Sequence, residues 1–235
     1  MLTLYQTQLR HAFYYQQILE RLAESYLKSG SAAEEALKML EAERPNIEAG
    51  RRWASESSDG EVGAVLRHGY AASAALVQEW TAHPTELARW AREGLFAARQ
   101  LGDRESEGRH LSNLGHACDT MGKTRRALTC HKLALAISRQ FGNRQTEAED
   151  LFGIGMVLLD LGGAIEAVSL LEQSLKILRK VGDRFIEASA LSSLGLAYQS
   201  LGETHRAIDC HEQALAITRE FKDRRGAAQQ LNDKP

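Results

Sequence analysis

Gly102-Asp103-Arg104, Gly142-Asn143-Arg144 and Gly182-Asp183-Arg184 follow one another at a spacing of 40 residues, and Lys222-Asp223-Arg224 stands where a fourth copy is due. Between these marks the apolar positions keep the same phase: Leu111/Leu151/Leu191, Leu114/Ile154/Leu194, Leu135/Leu175/Leu215, Ile137/Ile177/Ile217 and Phe141/Val181/Phe221. Small residues keep it too, at Gly115/Gly155/Gly195, Ala127/Ala167/Ala207 and Ala134/Ser174/Ala214. A fixed period in this range marks a solenoid, whose units bury their apolar faces only by stacking on one another. The fold class this predicts is all-α, with each unit a pair of helices.

Within one unit, residues 104–120 carry apolar or small groups at 111, 114, 115 and 118, the spacing of one helix face. Met121-Gly122 breaks that helix, as Leu161-Gly162 and Leu201-Gly202 do in later copies, because glycine suits the left-handed position after a helix end. Residues 124–140 form the second helix, with Ala127, His131, Ala134, Leu135 and Ile137 inward. Phe141-Gly142-Asn143 closes the unit: glycine ends one helix and Asn or Asp caps the next. Arg104/Glu107, Arg144/Glu147 and Arg184/Glu187 stand three apart as surface pairs, each worth a few tenths of a kcal/mol, about 0.2–0.5.

The residues that carry this pattern resemble the tetratricopeptide repeat, in which a Leu-Gly pair is followed by a large residue and then by spaced alanines. Here they read Leu114-Gly115-Cys118, Ile154-Gly155-Leu158 and Leu194-Gly195-Tyr198, then Ala127/Ala134, Ala167/Ser174 and Ala207/Ala214. The unit is longer than the family's usual one, and His131, Leu171 and His211 stand where an aromatic is usual. The resemblance covers residues 84–235 and implies a right-handed α-solenoid that binds proteins or peptides in a concave groove. Its matching positions on the first helices are Arg109, Ser112, His116 and Asp119; Glu149, Phe152, Met156 and Leu159; and Ser189, Ser192, Leu196 and Gln199. Phe152, Met156, Leu159 and Leu196 are apolar on a face that solvation alone would make polar. They read either as contacts to the neighbouring first helix or as an apolar floor for an amphipathic helix or extended segment.

Upstream the phase fades. Residues 86–101 align with 126–141 at minus 40, and Val62–Trp80 is the expected first helix of that degenerate unit. Before it come a long amphipathic stretch at 4–28, a shorter helix after Ser31 and a third beginning near Pro45, since proline suits a first helical turn. The predicted organisation is an N-terminal helical segment at 1–57, a degenerate unit at 58–101, and repeats at 102–141, 142–181 and 182–221. A truncated start of a further repeat occupies 222–235. Leu40-Glu41-Ala42-Glu43-Arg44-Pro45-Asn46-Ile47-Glu48-Ala49 with Trp53-Ala54 resembles the junction ahead of the repeats in bacterial NB-ARC/STAND-type signalling ATPases and transcription regulators. That resemblance implies a sensor or interaction region of a larger protein.

Composition narrows the classes further. Of 235 residues 43% are hydrophobic and 26% charged, as in a soluble folded protein, and the net charge of −2 offers nucleic acid no basic excess. Three cysteines without a C-x-x-C pair give no disulfide framework, which points to the cytoplasm. No signal-peptide pattern opens the chain, and no apolar run is long enough for a membrane span.

Two motifs imitate chemistry. Ala117-Cys118-Asp119-Thr120-Met121-Gly122-Lys123-Thr124 satisfies a relaxed phosphate-loop pattern, but that loop needs a preceding strand and a glycine-rich cradle. Here the residues join two repeat helices, and the copies further on have no lysine. His116, Cys118, Cys130 and His131 offer zinc-ligand types, yet Cys130-His131 recurs as Cys210-His211 and the spacings match no zinc module. No catalytic residue, metal or cofactor is expected. The expected partner is a protein or peptide, with neither nucleic acid nor membrane, and the expected role is non-catalytic binding. A free-standing scaffold and a small-molecule sensor stay open beside it. An unfinished unit at the carboxyl end would leave part of Leu215, Ile217 and Phe221 uncovered, which suits an end-to-end homodimer.

Overall fold

At three repeat boundaries a short polar side chain closes the first turn of the following helix. Asp103, Asn143 and Asp183 each accept a hydrogen bond through Oδ1 from the backbone N–H three residues on, at 3.0, 3.2 and 2.9 Å. The computed structural model describes residues 3–28, 31–56, 60–77 and 83–232, with side chains described up to residue 220. Every element among the described residues is helical. The helices are α1 Leu4–Tyr26, α2 Ser31–Glu56, α3 Gly60–Leu76, α4 Pro84–Leu101, α5 Arg104–Thr120, α6 Thr124–Phe141, α7 Arg144–Asp160, α8 Ala164–Val181, α9 Arg184–Ser200 and α10 Thr204–Asn232. They form two compact units, Met1–Ala117 and Cys118–Pro235, so the division falls inside α5.

In the second unit each helix packs on the next, and the first helices α7 and α9 also touch. The phase read from the sequence is the packing. Ala127, Ala134, Ala167 and Ser174 are buried to completion, and Ser174 Oγ donates to the carbonyl of Ala148 at 2.7 Å, tying α8 to α7. Leu135, Leu151 and Ile154 form one apolar cluster, and Leu171, Leu175, Leu191, Leu194 and Tyr198 belong to another. Gly155 lies against Leu171, where a Cβ would meet the side chain at 2.8 Å, so glycine is what lets α7 and α8 approach.

The last boundary departs from the others. Gly142 and Gly182 end α6 and α8 with φ of 69° and 81°, a conformation costly for residues with a Cβ. The equivalent position is Lys222, and α10 runs from Thr204 to Asn232 without a break. The separate helix expected to begin at 222 is therefore a continuation of α10: nothing there favours the left-handed turn.

The first unit is held differently. Leu19, Leu40, Ile47, Leu66, Tyr70, Ala74 and Trp90 share one core among α1, α2, α3 and α4. Tyr70 donates its hydroxyl to the carbonyl of Ala12 at 2.8 Å, in a space that opens because position 50 is glycine. Arg51, buried, sends two hydrogen bonds to Glu93 at 2.7 and 2.8 Å and one to Glu48 at 3.0 Å. Two sequence expectations are corrected here. Pro45 does not open a third N-terminal helix but lies inside α2, which is one helix of 26 residues. The reason is burial: Leu40 and Ile47, seven apart on one face, both sink into the same core, and that outweighs the proline's missing N–H. The first helix of the degenerate unit is Gly60–Leu76, while residues 78–80, to which the expected helix extended, lie outside the described residues.

Candidate functional site

The first helices α7 and α9 touch in the second unit and set their side chains at the same phase. Met156 Sδ accepts a hydrogen bond from Ser193 Oγ at 2.8 Å, and Leu196 follows Ser193 by one turn. Leu196 is 50% exposed, so an apolar residue stands open beside the half-buried Met156. Phe152 and Leu159 are also half-buried, but they pack against the core clusters that hold α8 and α9. Of the four apolar candidates, two thus serve mainly as helix contacts and two leave usable surface. Ser189 and Ser192 are half-buried and donate their hydroxyls back to Phe185 and Ala188 of their own helix, while Gln199 is exposed.

Polar groups border this apolar surface at the amino-terminal end of α7. Gln145 Nε2 donates to Glu149 Oε1 at 2.9 Å and to Asp183 Oδ2 at 2.6 Å. Burial pushes the Glu149 carboxyl up; the Gln145 bond opposes this, and Asp150 and Asp183 nearby push the same way as burial. Asp150 itself is fully buried and meets His131 Nδ1 at 3.2 Å, so that pair belongs to the packing of α6 on α7. Asp119, in the last turn of α5, is half-buried.

In the first unit, Arg109 is exposed and donates to Ser106 Oγ at 3.0 Å. Ser112 is buried at 8% exposure and presents little surface to a partner. His116 is exposed at the edge of a narrow slot walled by Ala71, Ala74, Leu87 and Trp90. No group of three His, Cys, Asp or Glu that could hold a metal is found among the described residues. The phosphate-loop lookalike is the turn between α5 and α6, with Gly122 at φ 67° and Lys123 at the start of α6.

Gln145 escaped the sequence reading because its phase counterparts are Glu105 and Phe185, which share no chemistry with it. Phase could have found Phe185, 73% exposed on the first turn of α9. The boundary clamps were half seen. Glu107, Glu147 and Glu187, all buried, pair with Arg104, Arg144 and Arg184, but each also takes a hydrogen bond from Arg99, Arg139 or Arg179 in the preceding helix, at 2.9, 3.0 and 3.0 Å. For Glu107 and Glu147, burial pushes the carboxyl up, but the two guanidiniums outweigh it and hold the group below its usual range.

Residues 111–145 and 147–220 match sequence models of the tetratricopeptide repeat. No curated protein matches the chain. Among solved structures the chain is similar to BtubC (BKLC) from P. vanneervenii, at 17% identity and a TM-score of 0.64 over 94% of this chain and 93% of that one. It is also similar to a Rap protein in complex with Competence and Sporulation Factor, at 13% identity and a TM-score of 0.63, covering 94% of this chain and 69% of that one. A third is aspartyl phosphate phosphatase F from Bacillus subtilis, at 10% identity and a TM-score of 0.59, covering 94% and 66%. These likenesses show the fold, an all-α solenoid of paired helices, and together with the sequence matches they establish that this chain carries tetratricopeptide repeats.

Proposed function

We propose that the chain is a non-catalytic interaction module that takes an amphipathic helix or an extended peptide on the first-helix face of its repeats. The observation that carries this is Leu196, half exposed beside Met156, with the polar group of Gln145, Glu149 and Asp183 on the same helices. An open apolar contact bordered by polar groups is what an anchored peptide uses, and methionine adapts to more than one side-chain shape. Within the second unit Asp119, Glu149, Ser192 and Gln199 extend the proposed groove, and in the first unit Arg109 and His116 stand at the corresponding positions of α5. The Rap protein, found in complex with a factor, supports binding by this architecture. The resemblance of residues 40–54 to the junction of bacterial signalling ATPases supports a sensor role within a multidomain regulator. All three cysteines are free, which suits a reducing cytoplasm.

The test is selection of peptides from a displayed library of amphipathic sequences, followed by titration. Leu196→Glu and Met156→Glu should each weaken the selected peptides at least tenfold, with the thermal midpoint unchanged. Selected peptides that bind both variants as well as the parent would overturn the reading.

A second reading rests on a different surface. Ile208 and Leu215 on α10 are 49% and 48% exposed, although Leu135 and Leu175 at the phase of Leu215 are buried. This favours pairing of two chains through α10, with Ile217 buried beneath and Phe221 outside the described side chains. Sedimentation across a concentration series should show a dimer that Leu215→Glu abolishes; a monomer throughout removes the proposal.

A further inference from the structure

A pocket of about 440 Å³ opens among α2, α3 and α4 in the first unit, apart from the first-helix face. This size suits a small organic molecule or one or two peptide residues. Arg67 forms one wall. It is 7% exposed, donates to the Ala54 carbonyl and to Gln100 Oε1, both at 2.7 Å, and lies 5.9 Å from the centre of the Phe96 ring. Those two bonds fix the planar guanidinium, so it enters the pocket already ordered. Phe96 is 59% exposed, an unusual placement for a large aromatic, and it gives the pocket an apolar face. Arg92, exposed on α4, makes no hydrogen bond or ion pair among the described residues.

The charge balance favours an anion. Glu93 also lines the pocket, but its carboxylate is taken by two bonds from Arg51. Glu56 lies exposed at the edge. Of the charged residues that line the pocket, Arg67 and Arg92 thus stand against Glu56 and a Glu93 that is already neutralised by Arg51. Burial pushes the Arg67 guanidinium down, with Glu93 opposing only in part, so a negative charge brought into the pocket would relieve it. Ser55 Oγ, also at the pocket, is buried with no hydrogen-bond partner and is available to donate.

We propose that this pocket binds a carboxylate attached to an aromatic or branched apolar group, the chemistry of a peptide's C-terminal residue or of a free aromatic acid. Arg92 and the Ser55 hydroxyl take the carboxylate. Phe96 takes the apolar group, and Arg67 supplies the fixed positive wall. A forked guanidinium on a carboxylate gives both charge and direction, and an aromatic ring packs edge-on or offset against Phe96.

The experiment is calorimetric titration of the whole chain with three probes: acetyl-Ala-Phe bearing a free carboxylate, its C-terminal amide, and phenylacetate. At least one of the two acids should bind saturably, with the amide at least tenfold weaker than the dipeptide acid if that acid binds. Arg92→Gln and Phe96→Ala, both on exposed side chains, should weaken the acid at least tenfold while circular dichroism and thermal midpoint stay as in the parent. Arg125→Gln in the second unit should change nothing. Tighter binding of the dipeptide acid assigns a peptide terminus, and tighter binding of phenylacetate assigns a free acid. No saturable binding of either acid, equal binding of acid and amide, or an acid indifferent to Arg92→Gln would each overturn the proposal.

Discussion

The two units solve the same packing problem with different means. The second stacks helices by phase alone: alanine, serine or glycine at fixed positions, leucine and isoleucine between them, and a clamped glutamate at the boundary. The first has little phase to rely on and ties its helices with single polar contacts between unlike residues, among them Tyr70 to Ala12, Arg51 to Glu93, and Arg67 to Ala54 and Gln100. A phased core tolerates change at one position because its neighbours carry the same contact again. A core tied by unique contacts has no such copies, so each loss should cost more.

The sharpest break is expected at Arg51. Arg51→Met leaves Glu93 without its charge partner near a buried surface and should cost about 3–5 kcal/mol in denaturant unfolding. A cost below about 1 kcal/mol would mean the first unit does not depend on that pair. Within the second unit, Leu175→Ala should cost about 2–5 kcal/mol, as expected for a buried leucine. The same change at Leu215, at the same phase but half exposed, should cost well under half as much; equal costs would show that α10 is covered there in solution.

Acid should act on the first unit through His110. Its Nε2 lies 3.0 Å from His68 Nδ1, and burial, with His68 and Arg109 adding to it and Asp103 opposing, pushes its pKa down to about 4. The folded chain therefore holds His110 neutral while the unfolded chain binds a proton near the ordinary value. That contribution is fully present above about pH 6.5 and is lost as pH falls toward 4, up to about 3 kcal/mol. His68, also lowered mainly by burial, adds in the same direction. The clamped carboxylates begin to weaken only below their ordinary range, whereas Glu149, raised by burial, acts with the opposite sign, so the histidine share is read as the difference between the parent and His110→Leu. Thermal unfolding between pH 6.5 and 5 should lose most of its downward slope in His110→Leu, with the part contributed by His68 remaining. The smallest contrast is at the boundaries: Gly142→Ala should cost about 1–2 kcal/mol for a side chain forced to positive φ. Lys222→Gly should cost about 1 kcal/mol or less and lower the helical signal of α10.

The same contrast governs what the sequence could tell. Helices α5 to α9 are legible almost to the residue because glycine and apolar phase agree at their boundaries, joined by a capping Asp or Asn where each repeat begins. α2 was misread because Pro45 carries a strong local signal, and only the burial of Leu40 and Ile47 together reveals that the helix continues through it. The pairing of Arg51 with Glu93 has no repeat to announce it. At the candidate groove, phase gave the positions but not their share of burial. Phe152 and Leu196 look alike on a helical wheel, and only the neighbouring helices show that one supports the core while the other stays open.

The clamped glutamate also makes each repeat a cassette with matching ends. Residues 142–181 bring an acidic socket, Glu147 with Arg144, at the front and a basic plug, Arg179, at the back. Any copy can then follow any other, and a duplicated segment arrives with both halves of its own joint. At the next joint Lys222 and Ala227 stand where the glycine and the glutamate are due, so Arg219 has no clamped glutamate at the repeat phase.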